Sequence, residues 1–397
     1  LEPLNSIRVI ELGQLIAGPY CGQLLADFGA EVIKVEAPEV GDAMRQWGRS
    51  GEDEKPVWWS VIARGKRSIT LNLRTPEGQE VLRDLVKQAD VLIENFRPGT
   101  MERWGLGYDV LSEINPRLIM ARISGYGQDG PYASRAGFAS VCEAMGGLRY
   151  ISGYPDRPPI RVGLSLGDTM AGVNAAMGVL LALQRRHVTG RGQVVDSSIF
   201  ESVLSLTESL VAEYDAAGHI RERHGSSLPG IAPSNAYPTG DGREVIIGAN
   251  QDSVFQRLCT AMGAPELAQD PSYSSHRARG ENAEALDARI ADWTRQHGAD
   301  DIVAQLAEAG VPVGLAYTAR EMMDDPHFAA RESIVQVADA DSGNTLAMQN
   351  VFPKLSESPG RVRSLGPELG ADSHAVLKDI LGYSPSKIEE LESDGIV

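Results

Sequence analysis

An α/β fold built on a doubly wound parallel sheet is the architecture this sequence predicts. Three observations lead to it. Short apolar runs alternate with helix-length amphipathic segments through the first 125 residues. Glycine and other turn residues mark the junctions between them. The spacing between strand-like runs leaves room for a crossover helix, which parallel neighbours require.

The elements follow in order. Residues 7–12 (IRVIEL) are a short apolar run closed by Gly13 and read as a strand. Residues 18–29 (GPYCGQLLADFG) carry an apolar helical face, and 31–36 (EVIKVE) read as a second strand. Residues 68–73 (SITLNL) alternate as a strand does. Residues 75–89 open with Thr75 as N-cap and Pro76 at the first helical position. Residues 90–96 and 117–126 supply two further strands. Ligands of such sheets bind beyond the carboxyl ends of the strands, so loops 13–19, 95–103 and 125–137 are the candidate ligand loops.

Thr169 to Arg186 reads as a helix with a close-packing stripe of Ala171, Gly172, Ala175, Ala176 and Gly178. Arg185 and Arg186 suit its C-terminus. Residues 189–218 read as a strand followed by a long amphipathic helix. A Gly/Pro/Ser-rich segment at 224–242 breaks the pattern and marks a domain boundary. Beyond it come the strand-like 244–249, three helix-like segments reaching about residue 310, short strands and turns over 328–360, and a mainly helical tail at 372–397. There is no internal repeat and no low-complexity tract.

With 397 residues the chain is long enough for two domains. The composition, 42% apolar and 23% charged, is that of a soluble globular protein. A net charge of −17 argues against nucleic-acid or anionic-membrane surfaces, while a local arginine cluster can still receive an anion. No signal-peptide pattern stands before the first strand-like run, and the apolar run Val173 to Leu183 is too short to span a bilayer. Cys21, Cys142 and Cys259 fit neither a zinc spacing nor a disulfide framework. They read as buried thiols of a cytoplasmic protein.

The common chemistries find little support. The first strand is not followed by G-x-G-x-x-G, and there is no Walker motif, no HExxH and no clustered Cys/His, so no metal is expected. GLSLG (163–167) matches G-x-S-x-G but lies at a helix start rather than on a strand–turn–helix elbow. All seven histidines follow residue 186. Asp168 is the one charge in GLSLGDTMAG (163–172). It can be an N-cap for a helix beginning at Thr169. It can equally be a nucleophile, because Gly163, Gly167 and Gly172 leave room for a substrate beside it.

Several segments together resemble the opening and middle of family III CoA-transferases. They are 10–42 (IELGQLIAGPYCGQLLADFGAEVIKVEAPEVGD), 65–78 (GKRSITLNLRTPEG), 89–99 (ADVLIENFRPG), 115–132 (NPRLIMARISGYGQDGPY), 165–172 (SLGDTMAG), 185–202 (RRHVTGRGQVVDSSIFES) and 310–328 (GVPVGLAYTAREMMDDPHF). They occur in the family's order across nearly the whole chain. The resemblance implies a Rossmann-like large domain made from both ends of the chain, an inserted small α+β domain, and two such rings interlocked as a homodimer. It divides this chain into 1–223, a small domain at 224–327, and a returning part at 328–397. It implies Asp168 as nucleophile, forming a mixed anhydride and then an aspartyl-CoA thioester. It implies contacts to coenzyme A from Leu15, Ile16, Ala17, Leu71, Arg74, Asn95, Phe96, Arg103 and Arg135. It implies a glycine-rich lid at 224–230, with Gly225 and Gly230. Coenzyme A enters as a thioester substrate and a small carboxylic acid as its partner; no cofactor is held permanently.

The chain departs from the formyl-CoA:oxalate branch at Ile16, where that branch has Gln, and at SSLPG, where it has four glycines. Residues 230–242 and 248–258 are more similar to the branch using succinyl-CoA and small dicarboxylic acids. An α-methylacyl-CoA racemase, which resembles this chain in fold, needs a second acid/base histidine near 135–141, where Phe138 stands here. A non-catalytic CoA-binding subunit would lack the Asp.

Overall fold

The computed structural model describes residues 2–50, 56–339 and 343–397, which divide into two compact units. The first comprises Leu1–Leu148, Val162–Asp215 and Ala329–Val397, and the second Arg149–Arg161 and Ala216–Phe328. The sequence reading keeps 149–161 and 216–223 with the large domain; the structure groups them with the smaller unit.

The first unit is organised by six strands: β1 (Arg8–Glu11), β2 (Glu31–Glu36), β3 (Arg67–Thr70), β4 (Val91–Glu94), β5 (Ile119–Ser124) and β6 (Val194–Ser198). Every pairing is parallel, in the order β3-β2-β1-β4-β5-β6. This is the doubly wound order, and its reversal point lies between β1 and β4. Successive strand residues feed opposite cores. Val9, Ile93 and Ala121 pack on one side with α1 (Ala17–Asp27), while Ile10, Leu92 and Met120 pack on the other with α2 (Pro76–Lys87). Side chains alternate across a strand, so a sheet covered on both faces reads as continuous apolar runs. Thr75 caps α2 by accepting from Gly78 N, with Pro76 in the first turn, as the sequence predicts.

Three further helices matter for the site: α3 (Ala139–Met145), α4 (Leu166–Thr189) and α5 (Ile199–Leu204). The helix expected from Thr169 begins three residues earlier, and Ser165 occupies the N-cap position. Asp168 is therefore a first-turn residue and not the N-cap. At 24 residues α4 is long and apolar enough to cross a membrane, unlike the shorter run read from sequence, but 44% of its most apolar window is buried. Gly172 and Gly178 are where it meets its neighbours. A Cβ at Gly172 would lie 2.8 Å from Ala17 O, and one at Gly178 2.4 Å from Val195 Cγ1.

The single long helix expected after β6 is two helices, α5 and Leu210–Ala217. Hydroxyls of Ser205 and Thr207 bond the carbonyls of Ser202 and Leu204, and Glu208 takes φ +52°, so a turn replaces the helix there. The returning segment forms an antiparallel hairpin of Ile334–Ala338 with Thr345–Gln349. Residues 340–342, within the strand-and-turn stretch predicted at 328–360, lie outside the described residues.

The second unit has an antiparallel sheet of Ser234–Pro238, Glu244–Gly248 and Val313–Leu315. Helices Asp252–Ala261, Ala283–Thr294 and Ala299–Glu308 pack with it around Tyr237, Ile247, Phe255, Leu286 and Ile302. It is α+β with its own core.

Candidate active site

The β1–α1 turn, at the reversal point of the sheet, is held by buried charge. Lys34 of β2, 1% exposed, donates to Gly13 O and to Asp42 at 2.8 Å, and lies 3.3 Å from Glu11. Asp42 in turn accepts from Leu15 N at 3.0 Å and Met44 N at 2.9 Å. Lys66 donates to Pro19 O at 2.7 Å and pairs with Glu11 at 2.8 Å. Burial works against the Asp42 carboxylate, but the Lys34 charge and the donated hydrogen bonds win, and its pKa falls below the ordinary value. Thus pinned, Leu15 accepts a left-handed φ of +64°, and Gly13 comes so near Gly18 that a Cβ would lie 2.9 Å from its Cα.

Across the reversal point, Asn95 clasps this turn from the end of β4. Its Oδ1 accepts from Gln14 N and its Nδ2 donates to Gln14 O, both at 2.8 Å. The 95–103 loop is anchored by Arg122 of β5, which pairs with Glu94 and Glu102, each at 2.7 Å. Phe96 donates its N–H to Glu94 and packs edge-on to Trp104 at 5.3 Å.

Asp168 stands at the same edge of the sheet. The helix α4 leads into the parallel strand β6, so it runs against the strands and its first turn opens at their carboxyl ends. One helical turn beyond Asp168, Gly172 lies against the first residue of α1. The half-buried Asp168 lies one helical turn before that contact, which is made with the residue closing the pinned turn of Leu15, Ile16 and Ala17. The Cys142 thiol of α3 is pushed up to about 11, chiefly by burial and further by the charges of Asp168 and Glu143.

The sequence-predicted residues therefore fall into groups. Leu15, Ile16, Ala17, Asn95 and Phe96 lie at the carboxyl edge around the reversal point, and the helix carrying Asp168 meets them through the Gly172–Ala17 contact. Leu71 is 2% exposed and sits in the core, so it shapes the end of β3 from within and presents no side-chain surface. Arg74 and Arg135 are exposed on loops, and Arg103 is exposed at the end of the short helix Thr100–Arg103; Arg103 donates to Thr100 Oγ1 and Arg135 lies 3.5 Å over the Tyr132 ring. Gly225 and Gly230 belong to the second unit and both take positive φ. Gly225 packs so close to Tyr154 that a Cβ would lie 2.6 Å from the ring. Ser165 starts a helix after a coil segment, so the G-x-S-x-G elbow is absent here.

Sequence reading missed Lys34, Asp42, Lys66, Arg122 and Glu143. A signal for Lys34 existed: a charge at the centre of a strand buried on both faces needs partners.

A model of CoA-transferase family III matches residues 4–373. The succinyl-CoA–D-citramalate CoA-transferase of Chloroflexus aurantiacus is 54% identical over 396 residues, covering 100% of this chain and 98% of that protein. The beta subunit of succinyl-CoA–L-malate CoA-transferase from the same organism is 44% identical, with the same two coverages. A crystal structure of a CAIB/BAIF family protein from Brucella suis superposes with a TM-score of 0.84 at 37% identity, covering 96% of this chain and 99% of that one.

Proposed function

The chain belongs to CoA-transferase family III and is a CoA-transferase, and from that premise we propose that it moves coenzyme A from succinyl-CoA to a small dicarboxylic acid through Asp168. The observation that supports this is Asp168 on the first turn of α4, one helical turn before the Gly172 contact with Ala17 of the pinned β1–α1 turn. The succinyl-CoA and dicarboxylate specificities of the two Chloroflexus relatives support the substrate class.

The Asp168 carboxylate attacks the thioester carbonyl, the C–S bond breaks, and CoA thiolate departs, leaving a mixed anhydride. The thiolate then attacks the Asp168 carbonyl and releases succinate, which leaves an aspartyl-CoA thioester. The acceptor carboxylate attacks that thioester, and the same steps run in reverse. No proton needs to move, which suits a site built around a carboxylate rather than an acid–base pair. N–H groups at the start of α4 favour the negative charge that develops there.

In this reading Leu15, Ile16, Ala17, Asn95 and Phe96 border the coenzyme along its pantetheine, with Leu71 and Arg74 on the adenine side. Arg74, Arg103 and Arg135 serve the phosphates. Segment 224–230 is assigned the lid. We further propose a large domain built from both ends of the chain, a small inserted domain, and a cytoplasmic, interlocked homodimer. The exposed Met177, Leu180, Leu181 and Val188 of α4 support a partner copy on that helix, and the free Cys21, Cys142 and Cys259 suit a reducing compartment.

Trapping tests the mechanism. With succinyl-CoA and no acceptor, hydroxylamine should convert Asp168 to a hydroxamate and inactivate the enzyme, and without acyl-CoA it should do neither. Mass analysis of peptide 162–185 reads the outcome. Modification at Ser165 or Cys142 instead would move the nucleophile.

A further inference from the structure

The first turn of α4 is held by a carboxylate from a different helix. Ser165 sits at the N-cap position but makes no side-chain cap bond. Instead Gly167 N donates to Oε1 of Glu143, on α3, at 3.0 Å. Glu143 is 2% exposed, so this acceptor lies inside the fold. The arrangement depends on glycine: a Cβ at 167 would come within 3.1 Å of Glu143 Cγ and 2.9 Å of Ile199 Cγ2. Gly146, just after α3, is closed in as tightly, since a Cβ there would lie 2.8 Å from both Phe200 O and Val203 Cγ1. Helices α3, α4 and α5 thus meet without slack around the residue that precedes Asp168.

The opening N–H groups of a helix have no partner within it, and the group that receives them fixes where the helix starts. A local cap would come from the coil segment that leads into Ser165 and would move with it. Glu143 comes from a packed helix. We propose that Glu143 is a positioning residue for Asp168: by capping α4 at Gly167 from α3, it sets the start of the first turn and so the place of the reacting carboxylate. This rests on the reading of Asp168 as nucleophile. The demand for such an anchor is steep, since a misplacement of about 1 Å at a reacting group costs about 100-fold in rate.

Three variants of the full chain test it, each measured for kcat, for CoA affinity by calorimetry, and for hydroxylamine trapping at Asp168. Glu143→Gln keeps an oxygen acceptor for Gly167 N and should stay within about threefold of the parent kcat. Glu143→Leu removes the acceptor; kcat and trapping rate should fall by about 10- to 100-fold while the Kd for CoA stays within about twofold. Gly167→Ala keeps Glu143 but forces it away, and should show the same split if Glu143→Leu does not fold. Parent-like kcat in either disruptive variant overturns the inference. So does an equal loss in Glu143→Gln, which would make the charge and not the cap decisive, or a loss of CoA affinity in step with kcat. If the parent enzyme itself is not trapped at Asp168, the nucleophile reading fails first, and that result is visible without any variant.

Discussion

The β1–α1 turn and the three arginines are assigned to the same coenzyme, yet they are built in opposite ways. The turn is fixed at Gly13 O, Leu15 N and Pro19 O by the side chains of Lys34, Asp42 and Lys66, all buried, and clasped again by Asn95. Arg74, Arg103 and Arg135 are exposed, and Arg103 and Arg135 engage Thr100 and Tyr132, each three residues away on the same segment. The contrast follows from what each must do. A backbone that a ligand approaches closely has to be held in place, because van der Waals contact is lost over a fraction of an ångström. A guanidinium serving a phosphate acts through a field that weakens slowly with distance, so a mobile side chain suffices. Buried charge is spent on the first task and not on the second.

The contrast breaks first at its centre if the reacting group can be removed without harm. Asp168→Ala should lower transfer by about 10⁴-fold or more while CoA affinity, read by calorimetry, and the fold, read by circular dichroism, persist. Retention of a tenth of the activity would remove Asp168 from the mechanism. The next largest effect belongs to the pinned turn. Asp42→Ala leaves Lys34 buried with one fewer counter-charge and frees Leu15 N; it should cost about 3–5 kcal/mol of stability in denaturant unfolding and weaken CoA binding as well. The pH dependence has a definite sign. Because the Asp42 pKa is depressed in the folded protein, its contribution is full above about pH 4 and is lost as pH falls through the folded value, and the variant should lack that part of the acid limb.

The parallel sheet was legible because its signals are local: apolar runs, Thr75 with Pro76, and glycines at the turns. Asp168 stood out as a charge among small residues, but the start of its helix did not, because α4 is capped from 24 residues away by Glu143 and no window around 165 contains that information. The break after Leu204 was missed for a related reason: a helical apolar face continues through 205–209, while hydroxyl-to-carbonyl bonds end the helix. Lys34, Asp42 and Lys66 lie on separate segments, and only the sheet order brings them to one turn. Leu71 shows the converse limit, since a position matched by resemblance turns out to face the core.

The smallest effect sharpens the contrast from the other side. Arg103 donates to Thr100 Oγ1 and is otherwise exposed, so Arg103→Gln should leave the unfolding midpoint unchanged within error. Its cost should appear in the Kd for CoA, by about two- to fivefold, the size expected of one solvent-exposed ion pair. Added salt should shrink the difference, because exposed charges are screened over about 10 Å at 0.1 M ionic strength. Asp42→Ala should behave oppositely, with a loss that salt does not reduce, since its partners are buried. Dephospho-CoA, which lacks the 3′-phosphate, separates the arginines further: the variant whose guanidinium serves that phosphate should bind it as well as the parent does. If Arg103→Gln instead lowers stability, or weakens CoA binding by a salt-independent hundredfold, then this exposed arginine is as firmly built in as the turn, and the division of labour between them is wrong.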